Sequence, residues 1–146
     1  MNNKFIFYSS KGNTAKRVGI KVLTHLNLPL KKLVKVSNNF NMKKYMNFNH
    51  AIFICPTYGD GELEAGMEKF LTQNSFQSFP EITFSVIELG LYRGYDVSTM
   101  GSGQIVSRYL TQSGMKEFCP YLSLDSVKND FTDVLENWLN KNYKHE

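Results

Sequence analysis

Ala51-Ile52-Phe53-Ile54-Cys55-Pro56-Thr57-Tyr58-Gly59-Asp60-Gly61-Glu62-Leu63 is the stretch on which the fold turns. Its first five residues are apolar without interruption, as in a strand buried on both faces of a parallel sheet. The run stops at a proline and at two glycines around an acid, which is turn chemistry. The same transition, strand into glycine-bearing loop, occurs twice more. Lys4-Phe5-Ile6-Phe7-Tyr8 runs into Ser9-Ser10-Lys11-Gly12, and Thr83-Phe84-Ser85-Val86-Ile87 runs into Glu88-Leu89-Gly90. Leu33-Val34-Lys35-Val36 reads as a second strand, and Glu117 to Leu122 as a weaker fifth.

Helical spacing fills the intervals. Ala15, Val18, Val22 and Leu26 recur three or four apart, and Asn27-Leu28-Pro29 ends that pattern. Ala65 to Thr72 reads as helix, and Ile105, Val106, Tyr109 and Leu110 mark the next. Val127, Phe131, Val134 and Trp138 form the apolar stripe of a C-terminal helix starting near Ser126. Met42 to Phe48 reads as a short helical turn. Strands alternating with helices five times predict a parallel α/β sheet with right-handed crossovers and helices on both faces. Ligands of such sheets bind beyond the carboxyl ends of the strands. The loops after the first, third and fourth strands are therefore the candidate site.

Composition narrows the class. The chain has 146 residues, enough for one domain with a substantial core, and 42% of them are hydrophobic. No apolar run approaches the roughly 20 residues of a membrane-spanning helix, and the first residues are too short an apolar run for a signal peptide. Cys55 and Cys119 make no disulfide framework, so a reducing cytoplasm is expected. Both read as small buried residues. His25, His50 and His145 offer no metal-ligand spacing. The charge is uneven. Residues 1–59 hold ten Lys or Arg and no acid, while residues 60–146 hold seven basic and thirteen acidic residues, for a net +4. That asymmetry makes nucleic acid or a membrane surface a partner to be weighed.

Each loop has its own chemistry. Ser9-Ser10-Lys11-Gly12-Asn13-Thr14 sets hydroxyls and backbone N–H groups at a helix N-terminus, where an anion is favoured. It has neither the Walker spacing nor the Gly-x-Gly-x-x-Gly of dinucleotide sites. An ordinary turn with an N-cap would use the same residues. The loop resembles the flavodoxin phosphate loop, [Ser/Thr]-x-[Ser/Thr]-Gly-x-Thr, which wraps the phosphate of FMN. The resemblance gives Ser9, Ser10, Gly12, Asn13 and Thr14 that role. Lys11 stands where the family has Thr or Ser, and its N–H is the expected contact. Pro56-Thr57-Tyr58-Gly59-Asp60-Gly61-Glu62 is similar to the family's Thr-[Trp/Tyr]-Gly-Asp-Gly-Glu. There the aromatic covers one face of the isoalloxazine ring, and the peptide corresponding to Gly59–Asp60 turns over on reduction to accept a hydrogen bond from flavin N5. The third loop, Leu89-Gly90-Leu91-Tyr92-Arg93-Gly94-Tyr95-Asp96, is similar to Gly-x-Gly-Asp-x-x-x-Tyr. Gly90 matches its first glycine, Tyr92-Arg93 replaces Gly-Asp, and Tyr92 and Tyr95 both stand as stacking candidates, with Tyr95 closer by position.

The resemblance runs from Phe5 to Trp138. It implies a single flavodoxin-like domain over 1–146: a three-layer sandwich whose five-stranded parallel sheet has the order 2-1-3-4-5, with helices on both faces. It implies an FMN-binding carrier that passes electrons, one or two at a time, between protein redox partners, and neither a membrane nor a nucleic-acid partner. A carrier is expected rather than a stand-alone oxidoreductase, because quinone-reductase relatives are longer. A flavodoxin-like activator of ribonucleotide reductase is an alternative, as is a non-flavin regulatory or nucleic-acid-docking module on the same fold. Flavodoxins are usually acidic, so +4 departs from the family. Asp60, Glu62, Glu64, Glu88 and Asp96 fall in or beside the ring loops, and an acidic docking face around the flavin is expected from them.

Overall fold

Phenylalanine and isoleucine alternate along the strands, and that alternation divides the core in two. The computed structural model describes residues 3–9, 13–36, 40–41, 48–58, 62–74, 81–90, 101–125 and 131–143, with the backbone alone at Tyr58 and Glu62. Strands β1 (Lys4–Tyr8), β2 (Leu33–Lys35), β3 (His50–Tyr58) and β5 (Thr83–Gly90) pair in parallel in the order β2-β1-β3-β5. Successive side chains of a strand point to opposite faces. Phe7, Phe53, Phe84 and Val86 therefore share one face, and Ile6, Ile52, Ile54, Ile87 and Leu89 the other.

Helices cover both faces. On the phenylalanine side lie α2 (Ala65–Gln73), through Met67, Phe70 and Leu71, and α3 (Ser102–Gln112), through Val106 and Leu110. On the isoleucine side lie α1 (Thr14–His25), through Ala15, Val18, Val22 and Leu23, and α4 (Phe131–Asn142), through Leu135 and Leu139. Asn27, two residues past the end of α1, has φ of 55°. Asparagine visits that left-handed region at modest cost. It closes the helix with Leu28 N–H donating to Leu23 O at 2.9 Å and Asn27 N–H to Thr24 O at 3.3 Å. Asn27 thus stops the helix before Pro29 is reached.

Two boundaries depart from the sequence reading. First, β3 does not end at Cys55. Its ladder with β1 stops at Ile54, but its ladder with β5 continues through Pro56↔Leu89 and Thr57↔Gly90. On the vacated side a short antiparallel strand, β4 (Glu62–Leu63), pairs back onto Thr57 and Tyr58. Pro56, Thr57, Tyr58, Leu89 and Gly90 are therefore strand residues rather than loop. Second, the fifth strand is split. β6 (Lys116–Glu117) pairs with Thr83 and Phe84, and β7 (Leu122–Asp125) pairs with Ile87 to Gly90. Phe118 N–H still donates to Phe84 O at 2.7 Å, and residues 119–121 leave the ladder around Pro120, which has no N–H to donate; a break of this kind also blunts the exposed edge of a sheet. Counting β6 and β7 as one strand gives the expected order 2-1-3-4-5. α4 is described from Phe131, and its expected start near Ser126 lies outside the described residues. So does 42–47, most of the expected helical turn. No described helix is long and apolar enough to cross a membrane.

Candidate functional site

The carboxyl ends of β1, β3 and β5 lie side by side, and each strand leads towards a helix N-terminus. Four-residue sets of unpaired N–H groups make every such terminus a local positive end. Three of them, at α1, α2 and α3, meet this end of the sheet. Two are filled by carboxylates of the chain itself.

At α2, Glu64 is the N-cap. Its two oxygens accept from Gly66 N–H at 2.6 and 2.7 Å, and its own N–H donates to Pro56 O at 3.2 Å. Only 5% of the residue is exposed. At α3 the carboxylate arrives from the sheet. Glu88, on β5 and 1% exposed, accepts from Gly103 N–H at 2.7 Å through Oε2 and from the Ser123 hydroxyl through Oε1. Beside it, Ser102 Oγ donates to Cys55 O at 3.2 Å and lies 2.6 Å from Thr57 Oγ1. With the Ser102 proton committed to the carbonyl, Thr57 is the donor of that pair.

The third terminus is different. Asn13, the N-cap of α1, makes no side-chain capping bond, and the first turn of α1 has no acid. Ser9, at the end of β1 and 1% exposed, carries a buried hydroxyl with no hydrogen-bond partner. A buried hydroxyl without a partner is costly and rare. Here it sits at a terminus that, among the described residues, no carboxylate caps. Lys16 and Arg17, in the first turn, are exposed. A serine hydroxyl and a helix N-terminus that no described acid opposes suit a phosphate.

The residues expected at the ring divide as follows. Ser9, Asn13 and Thr14 stand at the α1 terminus. Thr57 and Leu89 are fully buried, Thr57 bonded to Ser102 and Leu89 packed in the isoleucine layer. Pro56, buried beside them, and Gly90, at the strand end, contribute backbone. Ser10, Lys11, Gly12, Gly59, Asp60, Gly61, Tyr92, Gly94, Tyr95 and Asp96 lie outside the described residues, as do the side chains of Tyr58 and Glu62. The expectation that Glu64 and Glu88 form part of a surface docking face is corrected: both are internal, held by helix N–H groups. Ser102, Gly103, Ser123 and Asp125, which is 6% exposed beside Gly90 in the ladder, were not legible as site residues. Only the position of Ser102 near a helix start could have drawn attention to it.

Cys55 is fully buried between these carboxylates. Burial, reinforced by Glu88 and Glu64, raises its thiol well above the usual range, so it stays protonated and unreactive. Among the described residues no cluster of His, Cys, Asp and Glu could hold a metal ion. Gly103 is required by close approach. A Cβ there would lie 2.8 Å from Tyr121 Cδ2 and 2.9 Å from Glu88 Oε2. Gly103→Ala should therefore destabilise the fold by about 1–3 kcal/mol in urea unfolding, although alanine is the better helix former by about 1 kcal/mol. A stabilised variant would contradict the contact.

The architecture places the chain in a known class. It superposes on oxidised flavodoxin 1 of Bacillus cereus with a TM-score of 0.76 at 12% identity, over 98% of both chains. The Fusobacterium nucleatum flavodoxin bound to flavin mononucleotide matches with a TM-score of 0.70 at 18% identity, over 97% of this chain and 96% of that one. A flavodoxin variant from Pseudomonas aeruginosa matches with a TM-score of 0.70 at 21% identity, over 94% and 95%. No family model matches the sequence, and no curated protein is significantly similar to it. The chain has the flavodoxin-like fold.

Proposed function

We propose that this protein binds FMN and serves as an electron carrier between protein partners. The observation that carries the reading is the α1 terminus. Among the described residues no carboxylate of the chain caps it, whereas Glu64 caps α2 and Glu88 caps α3, and a buried, unpartnered Ser9 hydroxyl stands beside it. Ser9, Thr14 and the first N–H groups of α1 would hold the phosphate, with Ser10 to Asn13 closing round it. The segments at 56–62 and 89–96 would flank the ring. When bound, FMN supplies the reversible uptake of one or two electrons. The protein's part is to anchor, cover and electrostatically tune it. Similarity of fold to flavodoxins, one of them bound to FMN, supports the reading.

With Glu64 and Glu88 committed internally, Asp60, Glu62 and Asp96 remain as the acids for partner docking. Cys55 and Cys119, both buried thiols, suit a reducing cytoplasm.

Ser9→Ala tests the anchor. Removing an unsatisfied buried hydroxyl should leave the FMN-free protein as stable as before, or slightly more so. A lost hydrogen bond to a charged group is worth about 1.5–3 kcal/mol, so FMN affinity should fall by roughly tenfold or more. Flavin fluorescence titration of both forms reads the affinity, and urea unfolding reads the stability. A wild-type protein that takes up no FMN at micromolar concentration would overturn the function; equal affinity of the two forms would remove Ser9 from the site.

A further inference from the structure

The first 59 residues carry ten Lys or Arg and no acid. The fold gathers part of that charge on one helix face. Lys16, Arg17, Ile20 and Lys21 recur at helical spacing on the side of α1 turned away from the sheet, and all four are exposed. Ile20 stands between the cations and is 40% exposed, a large aliphatic side chain left in water. Beside it, α1 and α4 leave a groove of about 390 Å3, with the buried Leu135 and Leu139 at its base and Ile20 and Lys21 along one wall. Glu136 of α4 is the only acid among the described residues that line it. The groove follows the last two turns of α1, away from the terminus proposed for phosphate. Past the helix, Leu30 is 68% exposed on a 3-10 turn (Leu30–Lys32) that packs against α1, with Lys31 exposed beside it. Apolar points inside a charged border are the anatomy of a protein interface, apolar at the centre and polar at the rim.

We propose that this α1–α4 face docks a second protein, one that presents an apolar side chain ringed by Asp and Glu. The apolar side chain enters the groove against Ile20, Leu135 and Leu139, and the acids meet Lys16, Arg17 and Lys21. Shape and charge together select that occupant. A lipid surface does not fill a concave groove. Nucleic acid asks for phosphate contacts and stacking rings, and no Phe, Tyr or Trp is among the described residues that line the groove. A second copy of this chain carries the same basic face and a net +4, which oppose self-docking. The proposal does not depend on FMN.

Titration of the nitrogen-15-labelled protein with two synthetic peptides gives the test. Both alternate Glu and Ser; one has a central Phe and the other Ser at that position. The Phe peptide should bind about tenfold more tightly, the gain from burying one such side chain. Its amide shifts should fall on residues 16–25 and 134–140. Raising salt from about 50 to about 300 mM should weaken both peptides several-fold. Ile20→Gln should cut the preference for Phe to less than about twofold, because the groove loses its exposed apolar wall. Lys21→Glu should weaken both peptides by about threefold or more through like-charge repulsion. Both positions are exposed, so neither variant disturbs the core. Equal affinity for the two peptides would overturn the proposal, as would shifts centred away from α1 and α4. Tighter binding of a short DNA duplex or of phosphatidylglycerol vesicles to this face would also overturn it and assign the face to nucleic acid or lipid. Self-association of the protein in sedimentation, abolished by Ile20→Gln, would overturn it in favour of a second copy.

Discussion

Phe7→Ala should remove about 3–5 kcal/mol of stability, a large part of the roughly 5–15 kcal/mol that holds a typical domain folded. Phe7 is fully buried in the middle of β1. Its ring lies 5.6 Å from those of Phe53 and Phe48, 5.9 Å from Phe5, 6.0 Å from Phe70 and 6.4 Å from Phe40. The rings of Phe53 and Phe70 stack on it, while Phe48 and Phe40 meet it edge-on. These partners come from β1 itself, β3, α2 and the connection between β2 and β3. One truncation therefore opens a cavity that several elements would have to close at once. A cavity bounded by a rigid sheet collapses poorly, which places the loss near the upper end of the range. Phe7→Leu keeps much of the volume and should lose less than about 2 kcal/mol. Urea midpoints at unchanged slope give both values. If Phe7→Ala lost less than 1 kcal/mol, the phenylalanine layer would not be the packed core described.

The second large effect concerns pH. His50 is fully buried at the amino end of β3, at the opposite end of the sheet from the candidate site. Its Nδ1 lies 2.8 Å from Thr83 Oγ1 and its Nε2 2.6 Å from the Tyr143 hydroxyl, which in turn lies 2.5 Å from Ser85 Oγ. Burial, then the nearby Lys4 ammonium, pushes its pKa down to about 3, against an ordinary 6.5. The imidazole is therefore neutral when folded. The unfolded chain takes up the proton first, so stability rises with pH between about 3 and 6.5 and falls as pH drops through that window. The slope from this residue is about 1.4 kcal/mol per pH unit. From pH 6.5 to 5, above the ordinary range of carboxylates, the loss attributable to His50 should reach about 2 kcal/mol. His50→Gln should be less stable at pH 7 but lack that part of the slope. Urea unfolding of both proteins at pH 7, 6 and 5 measures the difference. Parallel curves would show that His50 is protonated in the folded state.

The candidate site was legible in part. Strand-into-glycine-loop transitions at Tyr8–Ser9, Cys55–Gly61 and Ile87–Gly90 depend on neighbouring residues only, so they could be read directly, and they placed the candidate site at the carboxyl ends of the strands. The fate of Glu88 could not be read that way. Its partners, Gly103 and Ser123, lie 15 and 35 residues further on. Beside a glycine-bearing segment, an acid looks like a surface residue until a helix N-terminus is brought against it.

The sequence by itself determined the alternation of strands and helices, the two-faced core and the three loops. Those properties follow from period, turn chemistry and apolar runs within about ten residues. Only the tertiary structure decided which helix termini are capped by the described carboxylates Glu64 and Glu88. It likewise decided how far β3 and β5 extend, where the edge strand breaks, and that His50 meets Tyr143 across 93 residues of chain. Each of these is a pairing between distant groups. Burial, not local preference, makes such pairing obligatory, because a polar group removed from water must find its partner wherever the fold supplies one.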